Sequence, residues 1–323
     1  MEFYIQNKSR IKSQSTREVV DVSSWAVGDL EIYREGSRPK EIFYCPNNIA
    51  FSFLIKDHTY IFKHSRKNYP EQFWIEIIAY KLGKIVGIPV PPAFVAIDSH
   101  RKIAGALIEW FHNYPNSPEE TYYAGRDYMR QKNPNYDLEK GWEHNMKIII
   151  EICAQLQDQG ALQSDWLQNF VSILLFDALI GNTDRHQDNW GLVWDKELKY
   201  AFLSPAFDNG TAMGHEILEA NINTINIMEY IKRGRHHLRW DLEGYIKKGC
   251  KHVELLQKLI DFYPDNYNFI MQKLNFSVDE CARDILELCC FDVYTPLSKT
   301  RANFIIELLK LRKDNIIKSL KSN

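Results

Sequence analysis

The chain has 323 residues, 45% of them hydrophobic, which is enough for one large core or two moderate ones. Its 40 basic and 42 acidic residues leave a formal net charge of −2, so no global excess of charge favours nucleic acid or anionic lipid as a partner. No apolar signal segment, no run of 18 uncharged apolar residues and no paired CxxC spacing occurs. These absences favour a cytoplasmic protein with reduced thiols and no membrane association, although a secreted effector with a polar export signal would look the same.

The chain divides by pattern into three segments. Residues 1–18 are rich in Lys, Arg, Ser and Gln, which predicts a basic flexible arm. Residues 19–112 carry short runs of Val, Ile, Phe and Tyr, typical of a small sheet, interrupted by one helical pattern, PEQFWIEIIAYKLGKIVG. Residues 113–323 contain mainly long apolar patterns of helical period. The sequence therefore predicts an α+β fold of two lobes, the first β-rich with one helix and the second larger and mainly helical.

The most informative stretch of the second half is LIGNTDRHQDNWGLVWDKELKYAFLSPAFDNG. Asp184 and Asn189 are five residues apart, the interval of a kinase catalytic loop, in which the first residue accepts the substrate hydroxyl proton and the second binds magnesium. Asp208 follows an apolar run and precedes Asn209-Gly210, so its carboxylate lies on a flexible turn suited to a metal. Because magnesium prefers oxygen ligands and keeps several waters, one carboxylate and one amide oxygen complete a site with ATP phosphates.

Each of these residues also has a plainer interpretation. A lone Asp184 would read as a loop aspartate that caps a turn, but the polar cluster that includes Asn182, Arg185 and His186 directly after an apolar helix favours a site. His186 fits either a residue that holds the loop by hydrogen bonds to backbone or a zinc or manganese ligand with Asp184 and Asp208. A single histidine without HxxxH or HxH spacing favours the first interpretation.

The first half should supply a cation for the phosphates. In TYIFK, Lys63 shares one strand face with apolar residues, which is unusual for a lysine, although an edge lysine with its head in water is the alternative. Glu76 on the following helix would be its ion-pair partner. On a helical wheel Glu76 lies opposite the apolar stripe, which by itself predicts a solvated face, and Glu71 in the first turn competes for the role.

A glycine-rich phosphate loop of GxGxxG form is absent from the sequence. The stretch EGSRPK, residues 35–40, is the one candidate for that role, with Gly36, Ser37 and Lys40 as phosphate-binding residues. A plain Gly-Ser-Arg-Pro turn explains the same residues equally well.

The motifs GNTDRHQDNWGL and LSPAFDNG, with IEIIAYKLGKIVGIPVPP after FK, resemble those of the HipA-like kinases, bacterial toxin-antitoxin serine/threonine kinases and their single-chain relatives. The resemblance implies ATP and Mg²⁺ as cofactors and a protein-kinase-like fold. It assigns Asp184 as catalytic base, Asn189 and Asp208 as magnesium ligands, and Lys63 with Glu76 as the ATP lysine and its partner. This motif register is what selects Glu76 over other glutamates.

The same resemblance implies that Glu109, Trp110 and Phe111 present hinge backbone to adenine and that EGSRPK carries the serine that some members autophosphorylate. The chain begins too close to its kinase core for the extra N-terminal domain of full-length toxins, which predicts the short form. We expect an unidentified protein substrate, an antitoxin or regulatory partner, and no direct contact with nucleic acid. The basic stretch KRGRHHLRW, residues 232–240, predicts either a surface for an acidic substrate or phosphosite, or a solvated turn.

Three other functions stay open at this point. A small-molecule or lipid kinase needs the same residues and differs only in its acceptor groove. A nucleotide-binding pseudokinase scaffold is suggested by the poor glycine loop and the basic arm. A metal-dependent hydrolase using Asp184, His186 and Asp208 is the least favoured, because the sequence offers no further ligands at usable spacing.

Overall fold

The computed structural model describes residues 13–28, 40–115, 119–137, 141–241 and 249–321, and its first part is a six-stranded sheet. The strands in chain order are β1 (Val20–Asp21), β2 (Ala26–Val27), β3 (Lys40–Tyr44), β4 (Thr59–His64), β5 (Ala93–Asp98) and β6 (Ile103–Glu109). Their order across the sheet is β1-β5-β6-β4-β3-β2, with β1 parallel to β5 and the remaining pairs antiparallel. The predicted β-rich first lobe is therefore present.

One helix, α1 (Gln72–Val86), connects β4 to β5 and packs on the sheet. It ends at Gly87, whose φ of 72° lies in the left-handed region that glycine adopts without strain. The helix is buried nearly all round, because the helical half of the protein covers the side that the sheet leaves open. The solvated face suggested by the helical wheel is wrong, since Glu76 is only 3% exposed.

The second half contains a three-stranded antiparallel sheet of β7 (Glu120–Ala124), β8 (Gly191–Asp195) and β9 (Tyr200–Leu203), in that order. Its α-helices are α2 (Gly125–Lys132), α3 (Met146–Asp158), α4 (Trp166–Ile180), α5 (Ile227–Arg233), α6 (His252–Phe262), α7 (Asn266–Lys273), α8 (Val278–Glu287) and α9 (Lys299–Lys321). Two 3₁₀ turns lie at Glu219–Thr224 and Leu288–Cys290. In the described ranges, each helix is too short or too polar to cross a membrane.

Helix α4 is the centre of this half and packs against α6, α7 and α9. The surrounding helices bury it completely from Phe170 to Ile180, which explains why that part is apolar on every side, and Asp177 is its one charged residue. Gly181, with φ of 71°, ends the helix and opens a polar loop, residues 181–189. The loop therefore begins directly at the end of the buried central helix of this half.

The basic arm of the sequence analysis falls partly outside the described residues, and the basic stretch KRGRHHLRW is described but only partly exposed. Residues 1–12 of the basic arm lie there, whereas the side chain of Gln14 bonds to the backbone of Val95 in β5 through both its amide nitrogen and its oxygen. The stretch KRGRHHLRW is divided: Lys232 and Arg233 are exposed, but the residues from His236 onward are mostly buried. A solvated turn therefore describes only its first half. The three domain boundaries stay predictions.

Candidate active site

A cleft lies between the six-stranded sheet and the helical half. Its sheet side is formed by Ile61 and Lys63 of β4 and by Ile108 of β6, and its far side by residues 207–209. Phe207 stacks on Phe111 with ring centroids 5.1 Å apart. The cleft is therefore apolar at its centre, with charged groups gathered at one end.

Three charged side chains meet at that end. The Nζ atom of Lys63 lies 3.1 Å from Oε1 of Glu76 and 2.9 Å from Oδ1 of Asp208. The second oxygen of Glu76 accepts the backbone N–H of Asn209 at 3.0 Å. Lys63 and Glu76 are both nearly inaccessible to water, so each charge depends on the other for compensation. The structure thus brings together the predicted phosphate lysine, its predicted partner and one predicted metal ligand.

The other glutamate considered for this role, Glu71, is occupied elsewhere. Its Oε2 accepts Nε of Arg301 at 3.1 Å, and its Oε1 accepts the backbone N–H of Ser298 at 3.4 Å. Glu71 therefore attaches the start of α1 to the start of α9. It is remote from the lysine because it lies five residues before Glu76, more than one helical turn away.

Asp208 lies on a turn with unusual backbone geometry. Its φ is 54°, in the left-handed region where Asp and Asn are the commonest residues after glycine. Gln72 of α1 donates its side-chain amide to the carbonyl of Gly210 at 3.0 Å and holds the far side of the turn. The carboxylate is partly exposed and faces the cleft.

A buried ion pair supports the polar loop from below. Arg185, 1% exposed, donates Nη2 to Oδ1 of Asp177 at 2.7 Å and Nε to Oδ2 at 3.0 Å. Burial alone would raise the pKa of Asp177, but the guanidinium and the hydrogen bond from His236 outweigh it and hold that pKa well below its usual range. Two parallel hydrogen bonds fix the direction of the guanidinium as well as its position.

The remaining donors of Arg185 connect the loop to the Asp208 turn. They bind the carbonyl of Asn189 at 3.0 Å, the side-chain oxygen of Asn209 at 2.8 Å, and the carbonyl of Phe207. The amide nitrogen of Asn209 in turn donates to the carbonyl of Ala206 at 2.8 Å. One arginine therefore sets the relative position of the two segments that carry Asp184, Asn189 and Asp208.

Asp184 and Asn189 are fixed through groups that leave their side-chain oxygens available. The N–H of Asp184 donates to the side-chain oxygen of Asn182 at 3.0 Å, and the amide nitrogen of Asn189 donates to the carbonyl of Asp184 at 2.7 Å. Within the part of the chain that the structure describes, no hydrogen bond reaches the Asp184 carboxylate. The Asp184 carboxylate therefore has no described hydrogen-bond partner, and Asn189 uses its amide nitrogen in the backbone bond and keeps its oxygen out of it.

His186 holds the loop. Its Nδ1 accepts the backbone N–H of Asp188 at 3.2 Å, and its ring lies beside that of His237 with centroids 6.0 Å apart. Asp188 itself pairs with Arg126 at 3.1 Å. These contacts correspond to a residue that shapes the loop.

The strand that ends at Glu109 forms the back of the cleft. The N–H of Glu109 donates to the carbonyl of Pro92 at 2.8 Å, and the N–H of Trp110 donates to the carbonyl of Thr59 at 3.0 Å. Because proline has no N–H, Pro92 returns no hydrogen bond to the Glu109 carbonyl. Glu109, Trp110 and Phe111, the three residues predicted to contact adenine, all line the cleft.

The Glu109 side chain is bonded to two tyrosine hydroxyls. Its carboxylate accepts the hydroxyl of Tyr114 at 2.9 Å and that of Tyr60 at 3.2 Å, and it is 1% exposed. Burial raises its pKa to about 8, although both hydroxyls oppose the rise. The side chain thus belongs to a buried polar cluster with Tyr60 and Tyr114.

The predicted phosphate loop is only partly described. Gly36 and Ser37 lie outside the described residues, whereas Lys40 is the first residue of β3 and pairs in register with Lys63 of β4. Cross-strand partners project from the same face of a sheet, so Lys40 lies next to the lysine at the charged end of the cleft.

The oxygen ligands that the residues offer fit magnesium. Asp208 gives a carboxylate and Asn189 an amide oxygen, both of the hard type that this ion prefers. In the described ranges, no group of three His, Cys, Asp or Glu side chains could hold a metal by itself. A cation here would take its remaining ligands from phosphates and water, as magnesium commonly does at nucleotide sites.

The sequence analysis predicted no role for three residues that position the site: Asp177, Arg185 and Asn209. Asp177 is the most important of them. One feature of the sequence could have indicated Asp177, because it is the one charged residue of its helix. A fully buried carboxylate needs a partner, but the partner is identified only by the path of the chain.

Comparison with known proteins gives a consistent result. The family model described as HipA-like C-terminal domain matches residues 35–254. Serine/threonine-protein kinase CtkA of Helicobacter pylori is 22% identical over 184 residues, which are 54% of this chain and 53% of that relative. The chain therefore matches about half the length of that relative.

Two solved structures share the architecture. The crystal structure of the Helicobacter pylori proinflammatory kinase CtkA superposes with a TM-score of 0.70 at 16% identity, over 94% of this chain and 98% of that chain. HipA of Shewanella oneidensis MR-1, in a toxin-antitoxin complex with HipB and operator DNA, gives a TM-score of 0.54 at 13% identity, over 92% and 69%. At such identities the likeness concerns the fold, and the predicted kinase-like fold is confirmed.

Proposed function

The chain belongs to the HipA-like C-terminal domain family, as its motifs predicted, and on this premise we propose that it is an ATP- and Mg²⁺-dependent serine/threonine protein kinase. The single observation that best supports this proposal is the contact of Lys63 with both Glu76 and Asp208 at one end of an apolar cleft. A buried lysine held by a helical glutamate is the arrangement that orients ATP phosphates in protein kinases.

The cleft suits a nucleotide along its whole length. At the hinge end, the carbonyl of Glu109 would accept the exocyclic amine of adenine and the N–H of Phe111 would donate to a ring nitrogen. The aromatic ring of Phe207 and the aliphatic side chain of Ile61 line the space between the hinge and the charged end. There, Lys63 would meet the phosphates.

Asp208 and Asn189 would hold the magnesium ion. When bound, this ion neutralises the charge of the phosphates and fixes their geometry. Arg185 contributes without contact to the nucleotide, because its hydrogen bonds to Phe207, Asn189 and Asn209 hold both ligand segments at fixed separation. A rigid support of this kind is what positioning catalysis requires.

Asp184 would accept the proton of the acceptor hydroxyl. Its backbone is held by Asn182, while its carboxylate is left without a hydrogen bond in the described ranges, so it can orient an incoming hydroxyl. The acceptor would be a serine or threonine of a protein, and an antitoxin or other regulatory protein would be the natural partner of such an enzyme. The HipA relative, for its part, occurs in a complex with HipB.

The test is transfer of labelled γ-phosphate from ATP to proteins of a cell extract by the purified chain. Asp184→Asn should lower the initial rate by roughly 10²–10⁴-fold, the usual contribution of a general base, with the circular dichroism spectrum unchanged. The matched control is Asp158→Asn, an exposed carboxylate at the end of α3, which should retain the full rate. Undiminished labelling by Asp184→Asn would refute the assignment.

The same preparation separates the alternative functions. Binding of Mg·ATP without transfer to any acceptor would favour the pseudokinase scaffold. Labelling confined to small molecules or lipids in an acceptor screen would favour a kinase of the other class.

A further inference from the structure

A second cavity lies in the helical half, between the end of α5, the start of α6 and the middle of α9. It has a volume of about 120 Å³ and shares no lining residue with the nucleotide cleft. Its basic lining residues are Lys232, Lys251, His252 and Arg312, and no acidic residue lines it. Burial holds the pKa of His252 well below its usual range, so the positive charge comes from the other three residues. The cavity is therefore cationic, although the chain as a whole has a net charge of −2.

Arg312 is the central feature of the cavity. Its side chain is 4% exposed, and its Nε has no hydrogen-bond partner. Its guanidinium lies 5.8 Å from the centre of the Tyr230 ring and interacts with the Tyr230 hydroxyl, which itself donates to Glu216 at 2.8 Å. No carboxylate in the described ranges forms a salt bridge with Arg312. A buried guanidinium stays charged at any physiological pH, and Glu216 acts on it electrostatically without forming an ion pair, so its charge is only partly compensated.

His252 adds a second set of unpartnered groups. It is 6% exposed, and neither of its ring nitrogens has a hydrogen-bond partner. It is also the first residue of α6, an eleven-residue helix whose N-cap residue, Lys251, supplies no side-chain cap. The first N–H groups of a helix and its dipole both favour an anion. The nearby Glu254 bonds to the backbone of Lys251 at 3.4 Å and does not line the cavity.

We propose that this cavity is a binding site for a small phosphate-type oxyanion. Arg312 would donate from its guanidinium, the N-terminus of α6 would donate backbone N–H groups from the other side, and His252 would supply a further donor. Lys251 and Lys232 at the rim would attract the anion, although Lys232 also forms an ion pair with Glu229, with Nζ and Oε1 3.2 Å apart. Charge-assisted hydrogen bonds from two directions suit a tetrahedral anion better than an apolar ligand or a cation.

The site is connected to the polar loop of the active site. A Cβ atom on Gly181 would overlap the Arg312 guanidinium, so Arg312 packs directly on the residue that opens residues 181–189. His252 packs edge-on against His236 with centroids 5.7 Å apart, and His236 bonds to Asp177 at 3.0 Å. An anion bound by Arg312 and His252 would therefore act on the loop in two ways, through the contact of Arg312 with Gly181 and through the contact of His252 with His236. This regulatory consequence rests on the proposed function, whereas anion binding does not.

Calorimetric titration with inorganic phosphate at constant ionic strength tests the binding. Arg312→Gln should weaken phosphate binding by roughly ten- to a hundredfold, the usual effect of losing a charged donor. Lys251→Glu, an exposed rim position that leaves the core intact, should also weaken it. The matched control is Lys310→Glu, which makes the same charge change on an exposed position of α9 outside the cavity.

Equal affinities of Lys251→Glu and Lys310→Glu would overturn the proposal, as would loss of phosphate binding in the cleft variant Lys63→Met but not in Arg312→Gln. If a phosphoserine peptide binds the cavity much more tightly than free phosphate, the proposal of a small anion is wrong and the ligand is a phosphorylated protein. Backbone amide resonances report the coupling. Phosphate should shift those of His252, Val253 and Gly181, and an unmoved Gly181 signal would disprove the link to the loop.

Discussion

The Nζ atom of Lys63 lies 2.9 Å from Oδ1 of Asp208, although 145 residues separate the two in sequence. This contact joins the six-stranded sheet to the turn that carries the proposed metal ligand. A cation on Asp208 would compete with Lys63 for the same oxygen. The lysine would then be free to turn towards the phosphates, so metal and nucleotide binding should be coupled.

Asp208→Asn should therefore remove the effect of magnesium on nucleotide binding. We expect the gain in ADP affinity on adding Mg²⁺ to fall roughly tenfold or more, because a neutral amide is a much weaker ligand for this ion. Calorimetric titration with ADP, with and without Mg²⁺, measures this gain, and Asp158→Asn serves as the control. An unchanged gain in Asp208→Asn would show that the ion is bound elsewhere.

Glu109 should make the stability of the protein depend on pH. Burial raises its folded-state pKa to about 8 from an ordinary value of 4.5. The stability contributed by its bound proton is therefore complete below the ordinary value and is lost as pH rises towards the folded value. The loss approaches about 1.4 kcal/mol per pH unit over that window.

Glu109→Gln removes this titration and keeps a hydrogen-bonding group beside Tyr60 and Tyr114. Urea unfolding at about pH 5, 6.5 and 8 should show the variant gaining on the wild type by a few kcal/mol from the lowest to the highest pH. A difference that does not change with pH would mean that Glu109 titrates normally.

Two glycines with nearly the same φ should differ sharply in their tolerance of alanine. Gly160 has φ of 70° with nothing within 4 Å of an added Cβ, so Gly160→Ala should cost only the left-handed strain, about 1–2 kcal/mol. Gly181 has φ of 71°, but its Cβ would also overlap Arg312, so overpacking should add roughly 1–3 kcal/mol. Chemical denaturation of both variants measures the difference. Equal losses would indicate that Arg312 moves aside without cost.

Asp177 should be far more important to stability than a surface carboxylate in an ion pair. Asp177→Asn leaves the buried Arg185 without its counter-ion and should cost roughly 3–5 kcal/mol. Glu119→Gln breaks the exposed pair with Lys196, whose side chains are 82% and 58% accessible, and should change stability by less than about 1 kcal/mol. Comparable unfolding midpoints for the two variants would contradict the buried pair.

Much of the fold and part of the site could be predicted from the sequence, because they depend on local pattern. The alternation in β4 and the apolar period of α1 placed Lys63 on an inner face and Glu76 on the following helix. The motifs around Asp184 and Asp208 identified the family, which the family model confirms. Local signals failed where burial comes from elsewhere, as for the side of Glu76 that the wheel assigned to solvent.

The amino-acid sequence by itself determined the two-lobed α+β fold, the family, and the residue types at the charged end of the cleft. Only the tertiary structure decided which groups pair: Arg185 with Asp177 and the Asp208 turn, Glu71 with Arg301, and Arg312 with Gly181 and Tyr230. The physical reason is that a buried charge must find a partner, and which partner lies within hydrogen-bond reach depends on packing between segments far apart in the chain.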